Sequence, residues 1–258
     1  MTDDLMTVLP SGMNTLSHIK CRYGADGVHL FDRATGLNVL MDEIVPPEEQ
    51  WSKAPRQISV ALTNTCDLSC SHCYAPKKKA ILDFSLLTQW LLELDKNGAI
   101  GIGFGGGEPA LYPRLVELLE FTATKTGLAV TMTTHGHRLT SEHLKYLNFV
   151  RVSMDGVGVS YEKIRGRPFK NLLDKLTLIK KTNQFGINYV VNSTTLEHLD
   201  EAIQIAERYG ATEFLLLPEV SVGRGKGIDE KTFQSMKEWI QDYKGKVRLA
   251  VSESHAGG

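Results

Sequence analysis

The stretch "ISVALTNTCDLSCSHCYA", Ile58 to Ala75, joins a short β-rich run to a loop holding three of the chain's four cysteines, Cys66, Cys70 and Cys73. A structural zinc site or a closed iron-sulfur cluster uses four protein ligands, so three thiolates in one loop leave a bound metal one coordination position short. An open position is where a substrate or cofactor binds. The fourth cysteine, Cys21, stands far upstream and reads as a small buried or inert thiol, because free cysteine packs as a hydrophobe.

The 258 residues are 42% hydrophobic and 23% charged, ample for one large core. The 29 basic and 30 acidic side chains leave a net charge of -1, so no whole-chain field points to nucleic acid or an anionic membrane. No run approaches the roughly 18 to 20 apolar residues of a membrane span. The opening "MTDDLMTVLPSG" has acids where a signal peptide has a basic start. A cytoplasmic location is expected, where clustered cysteines read as ligands or catalysts rather than as disulfides.

Upstream of the cysteine loop, "VPPEEQWSKAP" is a proline-bearing connector, preceded by short apolar runs "HIKCRY", "VHLF" and "LNVLMDEI" separated by turn residues. These predict a small β-meander. Downstream, β-rich runs alternate with amphipathic segments of helical period, the pattern of parallel strands with crossover helices. Six units follow, with strands "ISVALT", "AIGIGF", "LAVTMTT", "FVRVSM", "INYVVN" and "EFLLLP". Their near-continuous apolar character predicts burial on both faces. The first helix has Leu87, Trp90, Leu91 and Leu94 on one face, Asp83 or Ser85 as cap and Gly98 as stop. Later helices are predicted from Pro113 to Gly127, Ser141 to Leu147, Phe169 to Thr182, Leu196 to Tyr209 and Glu230 to Tyr243. The expected organisation is an N-terminal β-rich segment and connector over 1–50, one α/β unit over 51–245, and a C-terminal strand or tail over 246–258.

Six β-α units form either an open doubly wound sheet or a partial barrel, and in both the site lies at the carboxyl ends of the strands. That rim collects every unusual stretch: the cysteine loop, then "GGGEP", "THGH", "SMDG", Asn192 and Pro218, after successive strands.

Taken in order, Cys66, Cys70, His72, Cys73 and Tyr74 followed by "GGGEP" resemble the radical S-adenosylmethionine (radical SAM) superfamily, over about residues 58 to 225. The resemblance implies a partial (βα)6 TIM-like barrel carrying one 4Fe-4S cluster. Cys66, Cys70 and Cys73 would hold three irons, and the amino and carboxylate groups of S-adenosylmethionine would chelate the fourth. Gly105, Gly106 and Gly107 would let that cofactor lie against the strand end, and Glu108 would accept from its amino group. Ser153 would meet its carboxylate, and Asp155 would lie near the ribose. Arg165 has a guanidinium suited to a bidentate grip on a carboxylate. His72 would border the adenine; a Cys3His zinc set is the competing reading, strained by its adjacency to Cys73. Where related enzymes commonly carry Asn before Gly, this chain has His135 before Gly136, a departure that leaves His135 as a candidate ribose contact. Asn192 and Leu217 are candidate contacts to the adenosine half. Lys77 to Lys79 would steer an acidic electron donor or substrate, or form a solvated face. Tyr161, Tyr189 and Glu219 are rim-adjacent candidates by position alone, and no catalytic side chain is named.

The implied reaction is reductive cleavage of S-adenosylmethionine to a 5'-deoxyadenosyl radical that abstracts hydrogen from substrate, with flavodoxin or ferredoxin as electron donor. "CSHCY", "GGGEP", "SMDG" and "VGRG" are most similar to the branch that modifies ribosomally made precursor peptides. No cysteine follows Cys73, which implies either a one-cluster enzyme or a piece of a longer chain. One-cluster relatives include a group that excises a tyramine unit from a peptide. The meander would offer an edge for a leader peptide, unless an accessory protein binds the leader, or would cap the barrel bottom. A radical SAM enzyme acting on a small metabolite is the alternative, and a zinc or electron-transfer protein without catalysis a third.

Overall fold

The computed structural model describes residues 19–76 and 78–252. Strands β1 Ile19–Gly24, β2 Gly27–Asp32 and β3 Asn38–Met41 form an antiparallel sheet in that order, the meander read from the sequence. Seven further strands form one parallel sheet: β4 Gln57–Thr63, β5 Gly101–Gly106, β6 Ala129–Thr134, β7 Phe149–Ser153, β8 Gln184–Val191, β9 Glu213–Pro218 and β10 Arg248–Val251. Their spatial order equals their chain order. A doubly wound sheet reverses its strand order at a switch point; an unreversed order puts every right-handed crossover on one face and curls the sheet toward a barrel. The topology is therefore that of the partial barrel, with β10 as a seventh strand from the region expected to be strand or tail.

Crossover helices are α1 Phe84–Lys96, α2 Leu115–Lys125, α3 Ser141–Leu144, α4 Val159–Arg165, α5 Phe169–Lys180, α6 Leu199–Tyr209 and α7 Glu230–Asp242. Asp83 caps α1 by accepting from the Leu86 amide at 2.9 Å. Leu87 and Leu91 are buried as expected, but Trp90 is 41% exposed. It lines a cleft with Ile58, Val60 and Leu94, at the side of the sheet where β4 is the last strand. The predicted helix over 141–147 is a single turn, because Asn148 must turn inward to accept from the Val130 amide at 2.7 Å. Helix α4 was not foreseen; it runs between Gly158 and Gly166 and buries Tyr161 completely. Among the described residues, no helix is long and apolar enough to cross a membrane.

The strands are not buried on both faces. In β7, Val150 and Val152 are fully buried against the helices while Arg151 and Ser153 are half-buried. The same alternation places Thr131, Asn188, Leu215 and Leu217 on the inner face. This inner face is polar and partly open, as an enzyme chamber requires and a filled core does not. Arg151 reaches Glu213 across β8 because the residue between them in register is Gly186.

The small sheet docks at the amino ends of the barrel strands. Arg22 donates to the Ala54 and Gly98 carbonyls at 2.6 and 3.0 Å, and Arg33 to the Thr126 carbonyl at 2.9 Å. Lys20 pairs with Asp95. These cations meet the carboxyl ends of α1 and α2, where the helix dipole is negative. Arg22→Ala, which strips a charged donor from two carbonyls, is expected to lower stability in urea unfolding by about 1–3 kcal/mol. The rim lies at the opposite end, so iron content should be unchanged. Cys21, expected as a buried or inert thiol, is exposed in β1, opposite Leu30.

Candidate functional site

Downstream of β4, the chain leaves at Asn64 and returns at Ala80, where the Asn64 amide donates to the Ala80 carbonyl at 3.0 Å and closes the ends of the cysteine loop. Cys70 is buried; Cys66 and Cys73 are half-buried. Burial pushes the Cys66 and Cys70 thiols up, and at Cys70 the Arg165 charge works against it. A pocket that disfavours bare thiolates is one in which bound iron must supply the deprotonating charge.

Three loop residues are pinned by the rest of the rim. Asp67 accepts from His135 Nε2 at 2.9 Å, Arg138 Nε at 2.9 Å and Arg167 Nη2 at 3.2 Å. Burial works to raise its carboxyl, but the His135 and Arg138 bonds prevail and hold it at about 2. Cys70 Sγ accepts from Arg165 Nη1 at 3.5 Å. The Cys73 carbonyl accepts from the Arg224 amide at 3.0 Å. Cys66, Asp67 and His135 have donor atoms within 4.8 Å of one another, yet the two guanidiniums on Asp67 would repel a cation placed there.

The glycines after β5 divide in role. Gly106 has φ 123°, and a Cβ on Gly107 would sit 2.7 Å from the Asn64 carbonyl oxygen, so both allow the β5 end to press against the cysteine loop. A Cβ on Gly105 would meet nothing within 4 Å; its side is open cradle. Glu108 is fully buried and accepts from Thr134 Oγ1 at 2.6 Å and the His135 amide at 3.0 Å. His135 is itself buried, not a solvent-facing loop residue.

At the β7 end, Asp155 is fully buried. Its carboxylate takes Arg165 Nη2 and His72 Nε2, the latter at 3.2 Å, and the Val190 amide at 2.8 Å. Burial opposes ionisation there, but Arg165 and His72 hold the carboxyl well below the usual range. Ser153 pairs in register with Asn188. Asn192 is committed elsewhere, donating to Glu219 at 2.6 Å and accepting from the Thr194 and Thr195 amides. Leu217 is half-buried beside Val190. Lys78 and Lys79 are exposed; Lys77 lies outside the described residues.

Besides His29 Nδ1 on β2 of the small sheet, three buried polar atoms have no protein partner among the described residues: His72 Nδ1, Arg165 Nε and Asn188 Oδ1. Buried polar atoms are normally satisfied, so these three mark where a polar ligand belongs. With the open side of Gly105 and three cysteine donors, the residues present fit a 4Fe-4S cluster with S-adenosylmethionine beside it.

Sequence reasoning missed Asp67, Arg138, Arg167, His137 and Asn188. Inside the loop the cysteines, His72 and the lysines were weighed but Asp67 was not, and Asn188 lay within a run taken for a fully buried strand. His137 Nε2 meets Tyr161 Oη at 2.9 Å. Burial first, then the His135 and Arg167 charges, lower its pKa from 6.5 to about 4. The unfolded chain therefore binds the proton before the folded one, so this contribution to stability is complete above about 6.5 and declines as pH falls to about 4. His137→Gln is expected to flatten that decline in urea midpoints measured across the interval.

The family model "Radical SAM superfamily" matches residues 60–207. An AdoMet-dependent heme synthase of Methanosarcina barkeri is 27% identical over 80% of this chain and 63% of its own length. The mycofactocin maturase MftC of Mycobacterium tuberculosis is 30% identical over 76% of this chain and 52% of its own. The chain thus spans about half to three-fifths of these relatives. Streptococcus suis SuiB, solved with its precursor peptide SuiA, aligns at TM-score 0.73 and 13% identity over 93% of this chain and 72% of that one.

Proposed function

Because the chain belongs to the radical SAM superfamily, whose members use a 4Fe-4S cluster and S-adenosylmethionine, we propose that it abstracts hydrogen from a ribosomally made precursor peptide. When bound, cluster and cofactor supply an electron and a carbon-sulfur bond whose reductive cleavage yields a carbon radical. The observation that carries the reading is a group of three partnerless buried atoms at the rim, His72 Nδ1, Arg165 Nε and Asn188 Oδ1, with Arg165 bonded to Cys70 of the three-cysteine loop.

Cys66, Cys70 and Cys73 hold the cluster. Gly105 leaves room for the methionine part, with Gly106 and Gly107 shaping the cradle behind it, Glu108 toward its amino group and Ser153 toward its carboxylate. Arg165 grips the carboxylate through the donors Asp155 does not occupy. Asp155 acts mainly by orienting Arg165 and His72 rather than by touching ribose. His72 borders the adenine, His135 the ribose, and Asn192 and Leu217 flank the adenosine. The half-buried inner face presents one substrate position and keeps stray carbon-hydrogen bonds away from the radical.

A peptide substrate is favoured by the likeness to MftC and SuiB and by β3, an edge strand with Val39 and Leu40 exposed where an extended leader adds. An accessory protein presenting the leader is the other arrangement. Lys78 and Lys79, beside exposed Tyr74, suit an acidic flavodoxin or ferredoxin. The setting is the cytoplasm, with residues 51–245 as the catalytic unit, 1–50 as the docking segment and 246–258 as a C-terminal strand or tail. Tyramine excision is the form of backbone rearrangement to look for in the product mass. The heme synthase relative favours a second reading, a small-metabolite substrate.

Anaerobic protein incubated with dithionite and S-adenosylmethionine, with and without a candidate precursor peptide, is the test. Formation of 5'-deoxyadenosine that rises with the peptide, together with a changed peptide mass, is expected. Cofactor cleavage indifferent to peptide defeats the peptide assignment, and no cleavage defeats the enzyme assignment.

A further inference from the structure

Glu219 is buried, 8% exposed, and none of the roles above uses it. Resting on the radical SAM reading, we infer that the loop after β9 is a strap that positions the third cluster cysteine, with Glu219 and Gly223 as its positioning residues.

The strap is closed by one side chain. Glu219 Oε1 accepts from the Lys226 amide at 2.7 Å and Oε2 from Asn192 Nδ2 at 2.6 Å. Its own amide donates to the Val191 carbonyl at 3.0 Å, and its carbonyl accepts from the Ile228 amide at 2.8 Å. Both ends of the loop from 220 to 227 are thereby drawn to one residue, which is anchored to the end of β8. A carboxylate with both oxygens taken by fixed donors is poorly placed for proton transfer; it is a clasp.

The tip of the strap presses on the cluster loop. Gly223 has φ 64°, and a Cβ there would lie 2.6 Å from the Cys73 carbonyl oxygen and 2.8 Å from Tyr74 Cα, closer than real contacts allow. The next amide, of Arg224, donates to the Cys73 carbonyl at 3.0 Å, while the Cys73 amide donates to the Cys70 carbonyl at 3.3 Å. The Cys73 peptide is thus gripped from both sides, once within its own loop and once by a loop more than a hundred residues later in the chain. Groups that orient ligands also set how firmly a metal is held and where its potential lies. By this device the fold of the last rim loop decides the pose of Cys73.

The test uses anaerobically reconstituted full-length protein, with circular dichroism to establish folding. Two readouts follow: the rate of iron loss to a chelator, and the electron paramagnetic resonance spectrum of the reduced cluster. Gly223→Ala and Glu219→Gln are each expected to lose iron about tenfold faster than the parent, with shifted g-values. Glutamine supplies one acceptor where glutamate supplies two, so its amide faces that of Asn192. The double variant Asn192→Asp with Glu219→Gln restores donor to acceptor and is expected to recover iron retention. Should Gly223→Ala fail to fold, the Glu219 single and double variants decide. Parent-like iron loss and spectra in the single variants, or a double variant no better than Glu219→Gln, overturn the inference. A parent chain that binds no cluster overturns the family reading and this inference with it.

Discussion

Asp155→Ala is expected to destabilise the protein by about 3–5 kcal/mol, among the largest effects of any single change at the rim. The reason is the company the carboxylate keeps. Asp155 is fully buried, and the Arg165 side chain paired with it is only 10% exposed, so removing the acid strands a guanidinium in a site with little water. Asp155 also receives His72 Nε2 and the Val190 amide, which lose their acceptor together. Asp155→Asn keeps the shape and one acceptor and should fall between parent and Asp155→Ala. The double variant with Arg165→Ala should be less unstable than the two single losses added, because the second change removes the charge the first left unpaired. Urea unfolding of the four proteins checks this; strict additivity would mean that the pair is not coupled. S-adenosylmethionine affinity, measured by calorimetry on reconstituted protein, should fall about 10- to 100-fold in Asp155→Asn, as expected where an orienting partner behind a ligand is lost.

Alanine at Cys66, Cys70 or Cys73 should abolish cofactor cleavage and bleach the brown protein. A cubane whose fourth corner is left to S-adenosylmethionine has no spare protein ligand, so two thiolates would leave two corners open and the assembly labile. Iron per chain, expected near about four in the parent, is the measurement, alongside 5'-deoxyadenosine formed under dithionite. Cys21→Ala is the control: that thiol is exposed in β1, on the sheet docked at the barrel's other end, and its loss should change neither. Full iron retention after loss of any one of the three would show that another side chain closes the cluster.

The ligand loop was legible because its three cysteines are neighbours in sequence and spacing alone brings them together. The alternation of strands and helices was legible for the same local reason, down to Asp83 as one of two candidate caps of α1. Asp155 was expected near the ribose; the structure shows it buried and paired with Arg165 and His72. Its partners His72 and Arg165 come from different rim loops, and no local pattern reveals that one carboxylate gathers both. Arg151 and Asn188 were hidden inside runs taken for strands buried on both faces. A strand's mean apolar character does not reveal which face meets helices and which meets the chamber.

By itself the sequence determined the chemistry available: three thiolates in one loop, glycines where a chain must pass close to another, and a polar rim following apolar strands. These follow from residue type and short-range spacing. Only the tertiary structure decided between doubly wound sheet and barrel, through a strand order that never reverses. It also showed which rim residues, like Glu219, Asp67 and Asp155, are bonded to other rim residues, and which keep buried polar atoms without a partner. Such roles depend on contacts between loops far apart in the chain, and only the closing of the sheet brings those loops to one rim.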